Sequence, residues 1–125
     1  MLNIDVASMI NRLQTLKHSM PEIEAAAVVS LDGLIIASAL PPEMSEDRVS
    51  AMSAAILSLA ESISKEMGRG TLEQVFTKGA GGYVILITIS EHAGLTVLTN
   101  DQAKAGLVFL EMRRAAEDLI KYLKK

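Results

Sequence analysis

The sequence predicts an α+β fold, an α/β sandwich in which three helices and a five-stranded antiparallel sheet follow the order α-β-β-α-β-β-β-α. In three segments apolar residues recur every three or four positions, which is the pattern of an amphipathic helix. Five shorter apolar segments are separated by turn residues, as strands are. We expect a single domain over residues 1–125, with the central helix on one face of the sheet and the terminal helices on the other.

The first helix and the first two strands occupy the amino-terminal third of the chain. Asp5 can cap a helix that runs to about His18, and Pro21 prevents this helix from continuing. Its predicted core residues are Val6, Met9, Ile10, Leu13, Leu16 and Met20. Two apolar runs then flank Asp32-Gly33, a dipeptide typical of a two-residue hairpin turn, so strands one and two should be antiparallel.

The central helix is predicted from Glu46 to Gly68, with Ser45 as its cap. It carries two stripes. The apolar stripe, interpreted as core, comprises Val49, Met52, Ile56, Leu59, Ala60, Ile63 and Met67. The second stripe, called the seam below, comprises the small residues Ala51, Ala55, Ser58 and Ser62. Because small side chains let another backbone approach closely, the seam is predicted to meet a partner helix or protein; the alternative is that these residues form a solvated face.

Three further strands and a helix complete the chain. The strand at 71–78 contains Glu73, Gln74 and Lys78, which is polar for an interior position and indicates an edge strand. The strand at 83–90 is apolar on both faces and should be covered on both sides. A strand at 95–100 precedes a helix from Gln102 to Lys124. The predicted core stripe of this helix is Ala105, Val108, Phe109, Met112, Ala116, Leu119 and Leu123.

The composition excludes several kinds of site and argues against several classes of protein. Cysteine is absent, which excludes disulfides, thiol catalysis and thiolate metal sites. Only 3% of residues are aromatic and the net charge is -3, so no nucleic-acid partner is expected. No signal layout or apolar run of ~20 residues is present, from which we expect a cytoplasmic protein without a membrane span. The mean hydropathy of +0.31 favours self-association.

No catalytic constellation is visible, so the function is predicted to be binding without an enzyme activity or cofactor. His18 and His92 lack the spacing of a metal site. The glycines at 79–82 link two strands, whereas a phosphate-binding loop leads into a helix. The serines have no GxSxG context.

Particular segments resemble the roadblock / dynein light chain family, especially its MglB-like prokaryotic branch. Residues 25–40, AAAVVSLDGLIIASAL, are similar to the first hairpin of the family, and the small residues of the central helix also match. Residues 72–100 are similar to the three-strand meander that precedes the closing helix. The usual Asn-Leu-Gly entry to that helix is replaced by Asn100-Asp101-Gln102, so contacts near the helix start need not be shared.

The resemblance implies a homodimer that forms through the third strand, with the two central helices side by side. It also implies a non-catalytic regulator or scaffold that binds a small Ras-like GTPase, as MglB-like members do, some of them promoting GTP hydrolysis. The residues expected at the dimer interface are Ala51, Ala55, Ser58, Ser62, Leu72, Val75 and Phe76. Those expected to face the GTPase are Arg48, Ala54, Leu57 and Glu61.

Two other functions stay open at this point. The chain could be an assembly subunit of a larger complex that binds no GTPase. It could also be a small-ligand sensor of the PAS type. One long helix across the sheet argues against such a sensor, and the low aromatic content argues against a bound flavin or haem. If hydrolysis is stimulated, Arg48 could act as an arginine finger, but an ordinary solvated position at the helix start is the preferred interpretation.

Overall fold

The computed structural model describes residues 4–123, and its elements follow the predicted order. The helices are α1 (Val6–Ser19), α2 (Glu46–Glu66) and α3 (Ala105–Leu123). The strands are β1 (Ile23–Ser30), β2 (Ile35–Ala39), β3 (Gln74–Gly79), β4 (Gly82–Ser90) and β5 (Ala93–Thr99). The α+β prediction is confirmed.

All five strands form one antiparallel sheet in the order β2-β1-β5-β4-β3. Within residues 4–123, β3 pairs only with β4, so the prediction that it lies at an edge is confirmed. β4 buries Ile85, Leu86 and Ile87 in succession, as expected for a strand covered on both faces. The other edge of the sheet is β2.

The terminal helices share one face of the sheet and form the larger core with it. Met9, Leu13 and Leu16 of α1 are fully buried there, whereas Val6 and Ile10, also predicted as core, are exposed. The α3 stripe is confirmed at Val108, Met112 and Leu119, with Ala115 as a further buried member. An ion pair joins the two helices, with Arg12 Nε 2.6 Å from a carboxylate oxygen of Asp118.

Several predicted boundaries move because backbone hydrogen bonds set them; α3, for example, begins at Ala105 and not at Gln102. The β1–β2 loop is longer than a two-residue turn: Ser30 N–H donates to Leu34 O, and only Gly33 takes a positive φ, of 93°. This is the pattern of a type I turn followed by a left-handed glycine. β3 begins at Gln74, and residues 71–73 precede it without ladder pairing. The predicted end of α3 at Lys124 lies outside the described residues.

Capping hydrogen bonds define both ends of α2. The Ser45 side chain accepts a hydrogen bond from Arg48 N–H at 3.2 Å, which confirms the cap. At the other end Gly68 has a φ of 71°, its N–H donates to Lys65 O, and Arg69 N–H donates to Ser64 O. These two bonds form a Schellman motif, which a left-handed glycine allows. The helix therefore keeps a fixed length and direction across the sheet.

Candidate functional site

The face that α2 turns to the sheet is small and partly polar. Its buried residues are Ser50, Ser53, Ala54 and Leu57. Ser53 and Thr96 of β5 join their hydroxyl groups by a buried hydrogen bond of 2.8 Å. Leu57 sits over Gly94, where a Cβ atom would come within 2.6 Å of Leu57 Cδ1. The absence of a side chain at Gly94 thus lets α2 approach the sheet closely.

The prediction that the apolar stripe of α2 is core is wrong. Met52 is 66% exposed, Leu59 62%, Ile63 51% and Met67 66%, while Val49, Ile56 and Ala60 are only half-buried. The helix is rotated so that the small residues face the small residues of the sheet, and the large ones project sideways and outward. The most apolar side of α2 is therefore a free surface of the subunit.

An apolar groove of about 300 Å³ runs beside this stripe. Val49, Met52 and Ile56 form its helical wall. Its floor crosses three strands, with Leu98 in β5, Val84 in β4 and Thr77 in β3. The stripe and the β3 edge thus belong to one continuous side of the molecule.

The seam lies on the other side of α2. A Cβ atom at Gly33 in the β1–β2 loop would lie 3.8 Å from Ala51 Cα, which places this side of the helix toward the hairpin. Further along, Ser58 and Ser62 line a groove of about 670 Å³. Its other lining residues include Leu31, Thr71, Ser90 and Glu91. All four seam residues are exposed.

Three of the residues predicted to meet a partner are instead part of the core of the subunit. Ala54 and Leu57, expected on the GTPase surface, are 7% and 2% exposed because they lie on the sheet. Leu72, expected at the dimer interface, packs with Leu57 and Leu86 and is buried. A helical pattern alone does not give the rotation of α2, and Leu72 precedes β3 instead of pairing within it.

The other predicted contact residues lie in separate places and differ in exposure. Val75 is half-buried in the core under α2, and Phe76 is exposed on the opposite face of β3, where its ring lies 6.0 Å from that of Phe109. Arg48 is exposed in the first turn of α2. Glu61 is half-buried in the seam-side groove, with a carboxylate oxygen 3.2 Å from Lys65 Nζ. The stripe residues are the candidate contacts that the sequence pattern had assigned to the core.

Neither a metal cluster nor a membrane span occurs in the part of the chain that the structure describes. Residues 4–123 contain no group of three or more histidine or acidic side chains arranged to hold a metal ion. No helix within the same range is both long and apolar enough to cross a bilayer.

Comparison with known proteins places the chain in a family. Three uncharacterized proteins of Methanocaldococcus jannaschii are 35% to 37% identical to it, and each match covers 96% of the relative and 89% to 91% of this chain. Among solved structures, Myxococcus xanthus MglB has a TM-score of 0.87 at 18% identity, over 97% of this chain and 91% of its own.

A second solved structure, a Roadblock/LC7 domain from Streptomyces avermitilis, has a TM-score of 0.86 at 23% identity, over 91% of this chain and 96% of its own. At these identities the structural matches show the shared fold. The sequence model of the Roadblock/LC7 domain matches residues 9–99, which is most of the chain. The chain therefore belongs to the Roadblock/LC7 domain family.

Proposed function

We propose that this protein is a non-catalytic homodimer that regulates a small Ras-like GTPase. The observation that carries the dimer is the outward apolar stripe of α2, which adjoins the unpaired edge of β3. The GTPase as partner rests on the family and on its MglB-like members. The scaffold function without a GTPase is the alternative that the experiments below separate.

The dimer joins two subunits through their β3 strands. An edge strand presents unpaired N–H and C=O groups, which a second copy of the same strand can satisfy. A continuous sheet of this kind places the β3-facing sides of the two α2 helices toward each other. That side carries Met52, Ile56 and Ile63, so the stripe replaces the seam as the proposed contact between the twin helices. Burial of these side chains supplies the hydrophobic driving force.

Two neighbouring substitutions in α2 test this arrangement. Ile63→Glu places a charge in the proposed contact, and Ser62→Glu places the same charge on the seam side as its matched control. We expect the wild-type protein and Ser62→Glu to have twice the 13.4 kDa subunit mass by light scattering, and Ile63→Glu to have the subunit mass. If Ser62→Glu is monomeric and Ile63→Glu is dimeric, the twin contact lies at the seam and the stripe assignment is wrong.

The seam-side groove and the start of α2 remain open in such a dimer, and we assign them to the GTPase. Arg48 and Glu61 are the predicted partner residues that stay accessible. Ser58 and Ser62 add small hydroxyl side chains to this groove. In this mechanism the dimer surface orders the switch segments of the GTPase, and Arg48 is not required as a finger.

Purified Ras-like GTPases from the source organism, loaded with GDP or a GTP analogue, provide the direct test. We expect one of them to bind the dimer in one nucleotide state, and Glu61→Lys to weaken binding more than its control Glu117→Lys on α3. Arg48→Ala should lower any stimulated hydrolysis by less than about tenfold, whereas loss of a finger would cost about 10³–10⁵. Absence of binding in both nucleotide states would leave the scaffold alternative.

A further inference from the structure

Aromatic side chains are rare in this chain, yet three of the four gather at one place. Phe76 and Phe109 place their ring centres 6.0 Å apart, and Tyr83 stands opposite Lys78 in the β3–β4 ladder. Because Phe76 and Lys78 are two residues apart on a strand, they project from the same face of the sheet. This face is the one covered by α3, on the opposite side of the sheet from α2.

Two cations flank these rings. Lys78 Nζ lies 5.4 Å from the centre of the Tyr83 ring, and the Arg113 guanidinium carbon lies 5.2 Å from the centre of the Phe109 ring. Among residues 4–123, no carboxylate oxygen lies within 4.0 Å of either cation. Both positive charges are exposed and available to an anionic group from another molecule.

Each cation has an exposed apolar side chain close to it in sequence on the same element. Phe76 is 43% exposed on β3, and Leu110 is 46% exposed on α3. Leu110 and Arg113 are three residues apart in a helix, so their side chains are neighbours. We call the resulting surface the aromatic patch: Phe76, Lys78, Tyr83, Phe109, Leu110 and Arg113.

We propose that the aromatic patch binds an acidic segment of a second protein partner, one that carries a phenylalanine or leucine between its carboxylates. The carboxylates pair with Lys78 and Arg113, and the apolar side chain packs on Phe76 and Leu110. Complementary charge sets the orientation of such a segment, and the aromatic residues give it an anchor. The overall charge of -3 disfavours nucleic acid, whose binding requires a broad basic surface.

This inference goes beyond the proposed GTPase regulation. Phe76 and Lys78 lie on β3, the strand that joins the proposed dimer, so the patches of the two subunits would lie next to each other across the paired β3 strands. The patch and α2 lie on opposite faces of the sheet, so both can be occupied at once. A protein with two such surfaces can hold a GTPase and a second partner together.

Fluorescence anisotropy with a labelled peptide tests the patch on the full chain. The probe is a peptide of about twelve residues in which glutamate pairs alternate with phenylalanine or leucine, compared with the same peptide carrying glutamine for glutamate. We expect the acidic peptide to bind, and both the glutamine peptide and the Lys78→Glu/Arg113→Glu variant to reduce affinity at least about tenfold. Arg69→Glu/Lys104→Glu, with the same charge change elsewhere on the surface, should leave affinity within about twofold.

The milder Lys78→Gln/Arg113→Gln variant controls for misfolding caused by charge reversal. Circular dichroism checks that both patch variants are folded. The proposal is overturned if the acidic peptide fails to bind the wild-type protein, or if both patch variants bind it within about twofold of wild type. Tighter binding of a single-stranded oligothymidylate than of the peptide also overturns it. A wild-type protein that proves monomeric, or that binds no GTPase, still gives a full result in this assay.

Discussion

Gly94 shows how a single residue sets the position of the central helix. Its φ is not in the left-handed region, so the backbone there suits any residue, and space alone requires glycine. A Cβ atom would come within 2.6 Å of Leu57 Cδ1 and 3.2 Å of Ile87 O. Leu57 cannot move aside freely because it packs in one buried cluster with Leu72 and Leu86. The contact of glycine with leucine therefore fixes how closely α2 lies on the sheet.

Gly94→Ala is expected to destabilise the protein by about 1–3 kcal/mol, since the added methyl group overpacks this contact. Denaturant unfolding at a fixed protein concentration measures the change. Leu57→Ala removes the opposing methyl groups, so the double variant should lose less stability than the two single changes added together. Gly106→Ala is the matched control: apart from the nearby backbone of its own helix, a methyl group there would meet no atom within 4 Å. Alanine is also the better helix former, so a small gain in stability is expected. Equal losses at Gly94 and Gly106 would contradict the proposed contact.

Among the secondary-structure elements, α2 shows which structural features a sequence pattern predicts and which it does not. The pattern predicts the helix and its Ser45 cap correctly. It does not predict which side meets the sheet, because the most hydrophobic stripe is the usual choice. The surface of the sheet determines the rotation of α2. Gly94 allows the close approach of Leu57, and Thr96 is the hydrogen-bond partner of Ser53. These matches depend on which strands become neighbours, and local periodicity carries no such information.

The same reasoning explains the outcome for the candidate site. The β3 edge was predictable because polar residues in a strand are a local signal. Ala54 and Leu57 were misplaced because a rotation of the helix by about a third of a turn exchanges its buried and exposed faces. The aromatic patch had no local signal at all, since Phe76 and Phe109 are far apart in the sequence and meet only in the folded chain. Long-range pairing accounts for most of what the sequence alone left undecided.

For the whole molecule, the two faces of the sheet differ in how well one subunit covers them. The face under α1 and α3 has a large core that includes Met9, Leu13 and Met112. The hydrophobic cluster on the other face consists of Leu57, Leu72 and Leu86, and the buried residues beside it, such as Ser53, Ala54 and Thr96, are small or polar. Large apolar side chains of α2 remain outside this smaller cluster. The subunit is thus incompletely covered on the α2 side, and a second subunit would complete it.

Stability should therefore depend on protein concentration. For a dimer that unfolds to two separate chains, a tenfold rise in concentration stabilises the folded state by about 1.4 kcal/mol, which for two chains of this size raises Tm by about 3 °C. Calorimetry from about 1 to 100 µM should show this rise for the wild-type protein. Ile63→Glu should have a lower Tm that does not change with concentration, because its subunits do not associate. A wild-type Tm that is constant over this range would mean that one subunit is stable without its twin, and that the exposed stripe serves a different partner.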